Sequence, residues 1–317
     1  MMLNKIHDSL IQWYEVNGRH DLPWRITNDP YKIYLSEIML QQTQVKTVLE
    51  RFYYPFLERF PTFLDVAHSD LDDVLKMWEG LGYYTRAKNL HAAARQCNGI
   101  LPTNASDLLA LPGIGRSTAH AISAFAYKEP LPILDANVKR ILHRYFSIEE
   151  RDEKQLWKAA YTLFDTNHPF EYNQAMMDIG SLVCLAKNPL CDLCPFQRGC
   201  TGKLTPSNYP QPKVKKIKPI RNRTIMVYQH NDKLALYQRK ERFLHGLWGF
   251  PQYEELENNE GKFIGNITQH YSHFTLQADV YLLKDDVVNE ECEWFALSEI
   301  VDLSLSRADH KVLELID

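Results

Sequence analysis

"LPGIGRSTAHAISAF", residues 111–125, decides the fold. Gly113 and Gly115 permit a tight turn whose backbone N–H groups point outward, and the helix that follows brings its positive end to the same place. A short helix that Ser106 could cap precedes the turn. The arrangement is a sequence-independent grip for phosphate, although an ordinary corner between two helices uses the same residues. Twenty residues past Gly115, "PILDANVKRIL" sets Asp135 between an apolar approach and a helix carrying Lys139 and Arg140. Capping that helix is reason enough for an aspartate. A second acid, Glu37, stands among apolar residues in "SEIMLQQTQV", residues 36–45, followed by three glutamines and a threonine. A surface helix would carry more charge. Two partly buried carboxylates whose environments drive their pKa values apart supply one acid and one anion, which is what cleavage of a glycosidic bond needs.

Apolar residues three and four apart extend helix through most of residues 1–200: Leu10, Trp13 and Tyr14; Ile38, Val45, Val48, Leu49 and Phe52; Val138, Ile141, Leu142 and Tyr145. Gly18, Gly80 and Gly99 sit where such patterns stop. "LTPSNYPQPKVKKIKPIRNR", residues 204–223, has four prolines and a run of bases and reads as a linker, either touching phosphates or simply solvated. Beyond it, "RTIMVYQHNDKLALYQRK" alternates apolar and polar residues around Asn231-Asp232, a hairpin signature. "TLQADVYLL", "CEWFALSEI" and "HKVLELID" add strands and one or two helices. With 317 residues, 45% of them hydrophobic, there is room for two cores. The expected organisation is a mainly α domain over 1–203, a linker over 204–221 and an α+β domain over 222–317.

The net charge of −4 conceals an asymmetry: residues 1–210 carry 22 Lys and Arg against 23 Asp and Glu, 211–223 carry 6 against 0, and 224–317 carry 8 against 17. Charge therefore neither demands nor excludes a nucleic-acid partner. The N-terminus lacks a signal pattern and no stretch approaches the roughly 20 apolar residues of a membrane span, so a cytoplasmic protein without membrane contact is expected.

Four of the six cysteines, Cys184, Cys191, Cys194 and Cys200, are separated by six, two and five residues. In a large chain of this class that clustering means metal ligation rather than disulfides. Tetrahedral zinc and an iron-sulfur cluster both suit four thiolates. Lys187, Arg198 and Lys203 flank the ligands and could set a basic loop against phosphate.

"LPWR", "SEIMLQQTQV", "GLGYYTRAKNL", "LPGIGRSTA", "ILDANVKR", "NQAMMDIG" and the cysteine spacing together resemble the helix-hairpin-helix DNA glycosylases, and more narrowly the MutY-type adenine DNA glycosylases. The resemblance runs nearly unbroken from residue 5 to 200. It implies a 4Fe-4S cluster at the four cysteines and removal of adenine mispaired with 8-oxoguanine or guanine in double-stranded DNA. It further implies that Glu37 protonates the flipped adenine and manages the attacking water, while Asp135 stabilises the oxocarbenium-like sugar. Gln42 resembles the family's wedge into the vacated stack and Tyr83 its aromatic partner beside 8-oxoguanine. Arg25, Leu40, Asn137 and Gln174 are similarly placed for the base pocket. Ser117 stands where relatives of endonuclease III type have a lysine nucleophile. Serine cannot form a Schiff base, so hydrolysis without strand cleavage is expected. A monomer of bacterial type, on the nucleoid when acting, completes the expectation.

"ERFLHGLWGFPQ", residues 241–252, resembles a Nudix fold of MutT type, but the following "FPQYEELENNEGKF" lacks the spaced carboxylates that bind magnesium. The resemblance implies a Nudix-like module for 8-oxoguanine recognition through Tyr271, Ser272 and His273 in "QHYSHFTL". The competing readings are an endonuclease III type glycosylase/lyase, disfavoured by Ser117 and the second domain, and a non-catalytic mismatch binder, disfavoured by the two acids.

Overall fold

Helices fill the first two hundred residues, as the apolar periodicity requires. The structure, a computed structural model, describes residues 2–211, 217–254, 261–284 and 291–316. The bases Lys213, Lys215 and Lys216 lie outside the described residues, as do residues 255–260 within the stretch read as lacking magnesium carboxylates. Contacts divide the chain into two units: Met1–Val45, Thr62–Leu64 and Ala92–Val214 in the first, and Lys46–Pro61, Asp65–His91 and Lys215–Asp317 in the second.

In the first unit the helices Met2–Asn17, Ala136–Tyr145, Glu153–Leu163 and Pro169–Leu182 share one core. Leu10, Tyr14, Val138, Ile141, Leu142 and Tyr145 all enter it, as their spacing anticipated. The helix Pro30–Met39 begins with Asp29 as cap and Pro30 at its first position, and it buries residues on nearly every side. It stops sooner than the spacing of Ile38, Val45 and Phe52 suggests. Residues 40–44 form a turn, and helix resumes at Val45–Val48, passes through a π-helical segment at Leu49–Tyr53 and ends at Tyr54–Arg59. The short helix before the glycine turn, Ala105–Leu108, is capped by Asn104 rather than Ser106, its side-chain oxygen accepting from the Asp107 N–H at 3.0 Å.

The second unit holds a mixed sheet of β1 (Ile220–His230), β2 (Lys233–Gln238), β3 (Trp248–Gly249), β4 (Gln252–Tyr253), β5 (Lys262–His270), β6 (Thr275–Lys284) and β7 (Cys292–Ala296). Its order is β3-β2-β1-β6-β5, with β4 also paired to β1 and β7 to β2; β1 and β6 run parallel and the other pairs antiparallel. His230 pairs with Lys233 across Asn231 and Asp232, whose φ values of 47° and 60° are the two left-handed positions of a type I′ turn. Ile225, Val227, Val280 and Ile267 point to the core, where the Arg307–Leu313 helix covers them with Ala308 and Val312.

A buried ion pair fixes this core. Arg239, 5% exposed, donates to Asp309 Oδ1 at 2.8 Å and to the Trp248 carbonyl at 2.7 Å. Asp309 also accepts from the Phe250 N–H at 3.2 Å and the Ser306 hydroxyl at 2.5 Å. Gly249 is what makes room, since a Cβ there would lie 2.0 Å from the guanidinium. Asp309→Ala strands that buried cation, and we expect urea unfolding of the variant to show a loss of about 3–5 kcal/mol.

Candidate active site

Glu37 lies in the last turn of the Pro30–Met39 helix, partly buried among Leu35, Ile38 and Met39. Among the described residues no group donates a hydrogen bond to its carboxyl. Burial pushes its pKa up to about 7; the charge of Asp135 pushes the same way and Arg25 opposes. Asp135 is both of the things a reader of the sequence could take it for. It caps the Ala136–Tyr145 helix by accepting from the Val138 N–H at 2.7 Å, and it faces Glu37 closely enough to raise that acid's pKa. Burial raises the pKa of Asp135 above the usual carboxylate value as well, and the Val138 N–H, the Arg140 charge and Asn137 offset that rise only in part. Three groups therefore favour the Asp135 anion, whereas Glu37 has only Arg25. Both acids are thus shifted upward, and Asp135 has more groups opposing the shift than Glu37 has.

Supporting residues converge on Asp135. Asn137 donates to its Oδ2 at 3.3 Å and accepts from Arg140 at 2.9 Å. Arg140 donates onward to the Gly180 carbonyl at 2.5 Å and the Cys184 carbonyl at 2.7 Å. Gly180 admits this contact, because a Cβ there would sit 2.4 Å from that of Asn137. Ser117, in the first turn of the Arg116–Ala126 helix, accepts from the Leu134 N–H at 3.1 Å and so ties the glycine turn to the residue before Asp135. Gly113 takes φ 75°, and both Gly113 and Gly115 are exposed, with open space where a Gly115 Cβ would stand. Their amides are free to meet a ligand.

Arg25, whose charge reaches Glu37, is bonded to a buried acid. Its buried guanidinium grips Asp178 bidentately at 2.7 and 2.9 Å, and Arg19 binds the same carboxylate through its Nε at 2.7 Å. Burial opposes the ionisation of Asp178, but the two arginines hold its pKa below the usual carboxylate range. Asp178 escaped the sequence reading although it stands inside "NQAMMDIG"; an invariably charged Arg25 in an apolar context was the sign that a buried acid had to answer it. Gln174 is 2% exposed and its Oε1 is buried with no hydrogen-bond partner. Leu40 ends the Glu37 helix, its N–H donating to the Ser36 carbonyl at 2.9 Å. Gln42 follows in the exposed turn with φ 59°, a strained value for a residue with a side chain.

The four cysteines line one cavity, together with Arg144. Arg144 is 4% exposed and donates to Cys184 Sγ at 3.3 Å, to the Leu185 carbonyl at 2.6 Å and to the Ala186 carbonyl at 3.1 Å. Burial pushes the Cys194 thiol up to about 12, helped by Cys184, Cys200 and Cys191 nearby. Among the described residues no three His, Cys, Asp or Glu side chains converge as a single-ion site requires.

The second unit has a site of its own. A groove of about 1100 Å³ is lined by Tyr83 from the 65–91 segment and by Tyr271, Ser272 and His273 from the loop after β5. Tyr83 takes φ 52° and is 45% exposed. Tyr271 packs edge-on to Phe243 at 5.0 Å, while Ser272 and His273 are exposed and bonded to each other at 3.2 Å. Arg51, Lys88, Arg242 and Arg307 also line the groove. Glu79 is the one carboxylate among its described lining residues, and it pairs with Lys76 at 2.7 Å and hydrogen-bonds with His310. A domain with more acids than bases thus presents a basic wall here.

These features find their counterparts among known proteins. Residues 35–164 match the family model of the HhH-GPD superfamily base excision DNA repair protein, and residues 223–315 that of the NUDIX domain. A solved thermostable thymine-DNA glycosylase aligns with a TM-score of 0.57 at 28% identity, over 63% of this chain and 96% of that one. The helical fold is therefore that of base excision DNA repair. An adenine DNA glycosylase of Buchnera aphidicola subsp. Baizongia pistaciae is 40% identical over 262 residues, 78% of this chain and 73% of the relative. Another, from Buchnera aphidicola subsp. Acyrthosiphon pisum, is 34% identical over 335 residues, 96% of this chain and 95% of the relative. The chain belongs to the adenine DNA glycosylase family.

The shifted acid carries a stability cost of known sign. Folded Glu37 holds its proton more tightly than the unfolded chain does, so the penalty is absent below about pH 4.5 and complete above about pH 7. We expect Glu37→Gln to match the parent in unfolding free energy near pH 4 and to exceed it by roughly 3 kcal/mol at pH 8, measured by denaturant titration at both.

Proposed function

We propose that this glycosylase hydrolyses the N-glycosidic bond of adenine opposite 8-oxoguanine or guanine in duplex DNA, and leaves an abasic site without cutting the strand. The observation that carries the reading is Glu37: a carboxyl whose pKa is pushed up to about 7 beside a second buried acid whose anion the Val138 N–H, Arg140 and Asn137 support. Protonated Glu37 delivers a proton to the adenine ring and makes the base a neutral leaving group. As the bond stretches, positive charge grows on the sugar, and the Asp135 anion, held by Val138, Asn137 and Arg140, stabilises it. Deprotonated Glu37 then takes a proton from the attacking water. Gln174, with a buried carbonyl oxygen lacking a donor, suits the exocyclic amine of adenine. Arg25 orders the pocket from beneath through Asp178, and Leu40 closes the helix that presents Glu37.

Gly113 and Gly115 hold a DNA phosphate with outward amides, and Gln42 fills the stack where adenine has left. Ser117 is bonded to the Leu134 N–H and offers no amine, so no Schiff base forms. In the second unit Tyr83 stands beside the 8-oxoguanine, which Ser272 and His273 read at its polar edge against the aromatic floor of Tyr271 and Phe243. Along the sequence we assign catalysis to residues 1–203, a linker to 204–221 and lesion recognition to 222–317, with the 65–91 segment completing the recognition groove.

The cysteine cavity fits a 4Fe-4S cluster: four thiols surround a space lined by no competing acid, and Arg144 offsets the charge of a thiolate set. Cys184, Cys191, Cys194 and Cys200 would hold such a cluster, and the loop they would fix carries Lys187, Arg198 and Lys203 for contact with phosphate. The protein acts as a monomer on duplex DNA in the cytoplasm, at the nucleoid of a bacterial-type cell; among the described residues no helix is long and apolar enough to cross a membrane.

Single-turnover release of adenine from a duplex bearing adenine opposite 8-oxoguanine tests the chemistry. Strand breaks should appear only after hot alkali, the rate should fall as pH rises through about 7, and Glu37→Gln should bind the duplex while releasing no base. Substantial release by that variant would remove Glu37 from the mechanism. Ser272→Ala should narrow the preference for 8-oxoguanine over guanine by about 1 kcal/mol, the worth of one hydrogen bond. Paired rate measurements on the two duplexes report it, and an unchanged ratio places recognition elsewhere.

A further inference from the structure

The turn that carries Tyr83 is unusual in its backbone. Gly80, Gly82 and Tyr83 have φ values of 88°, 76° and 52°, three left-handed residues in four. Glycine adopts that conformation freely; an aromatic residue does so only when its surroundings impose it. Tyr83 is moreover 45% exposed, so its own packing supplies little of the restraint. The restraint comes from Arg86, which is 8% exposed and begins one turn later in the helix Thr85–Gln96.

Arg86 acts on the turn in three ways. Its Nη2 donates to the Gly82 carbonyl at 3.1 Å and to the Leu81 carbonyl at 3.4 Å, and its backbone N–H donates to the Tyr83 carbonyl at 2.8 Å. Its guanidinium carbon lies 5.3 Å from the centre of the Tyr83 ring and 5.5 Å from that of Trp78. Trp78 in turn donates from Nε1 to the same Gly82 carbonyl at 3.2 Å. One planar cation therefore holds the carbonyls before Tyr83 and the ring itself, which a lysine ammonium cannot do together. Burial lowers its pKa to about 10, so it keeps its charge at neutral pH. So deeply placed, it acts through Tyr83 rather than on a phosphate.

We infer that Arg86 is a positioning residue for Tyr83, and that through it Arg86 sets how strongly the enzyme prefers 8-oxoguanine over guanine opposite adenine. The inference rests on the reading of Tyr83 as the aromatic beside the lesion. A cycle of variants separates the two. The ratio of single-turnover adenine release from duplexes with 8-oxoguanine and with guanine is measured for the parent, Arg86→Lys, Tyr83→Ala and the double variant, with Arg86→Gln as a second, uncharged test. Thermal midpoints identify any variant that has merely lost its fold. Arg86→Lys should lower the ratio about tenfold in the parent and leave it unchanged in Tyr83→Ala, because a lost guanidinium–ring contact has nothing further to act on. Equal losses in both backgrounds, or no loss in the parent, would overturn the positioning role. An unchanged ratio in Tyr83→Ala itself would instead overturn the reading of Tyr83, and the inference with it.

Discussion

The site depends on one desolvated carboxyl facing another. Water would ordinarily stabilise both anions; here the Pro30–Met39 helix buries Glu37 without a donor, and the cap of the Ala136–Tyr145 helix holds Asp135 with several. The difference in donors, not any difference between glutamate and aspartate, is what distinguishes their surroundings. Everything that holds these two helix ends in place bears on the chemistry: the Asp178 clamp on Arg25 and Arg19, and the contact of Asn137 with Gly180.

The chain of hydrogen bonds that steadies Asp135 leads outward to the cysteine loop. Asn137 links Asp135 to Arg140, which reaches the Cys184 carbonyl, and Arg144, one turn along the same helix, reaches Cys184 Sγ and the carbonyls beyond it. A single helix thus presents a caged carboxylate at its start and two arginines that organise a loop forty residues away. Arginine suits this task because its donors lie in one plane and fork to several carbonyls at once.

Local chemistry was legible from the sequence wherever one residue type had one use. Asn231-Asp232 specified a type I′ turn, the spacing of Val138, Ile141 and Leu142 specified a buried face, and Gly113 specified a left-handed turn. The reading was weaker where periodicity continues through a break. Ile38 and Val45 are seven residues apart and lie on one helical stripe, yet the chain leaves the helix between them to expose Gln42. Asn104 and Ser106 are both good caps, and only the backbone chooses between them. Long-range pairings lie beyond any local pattern: Asp178 answering Arg25, and Tyr83 sharing a groove with residues almost two hundred positions away.

The seam inside the second unit is asymmetric. Lys76 and Tyr84 bond to the carbonyls of Leu303 and Leu305, at 3.0 and 3.3 Å, and Ser304 bonds to the Asp72 carbonyl at 3.2 Å. Two side chains on the helical segment thus grip main chain on the other, while Lys88–His245, Asp72–Gln238 and Glu79–His310 pair side chain with side chain. These two bonds hold residues 303 and 305 by their backbone and so depend on spacing, while the Leu305 side chain is buried in the core. A change in the length of that loop would break main-chain bonds that a change of side chain at Leu303 leaves in place.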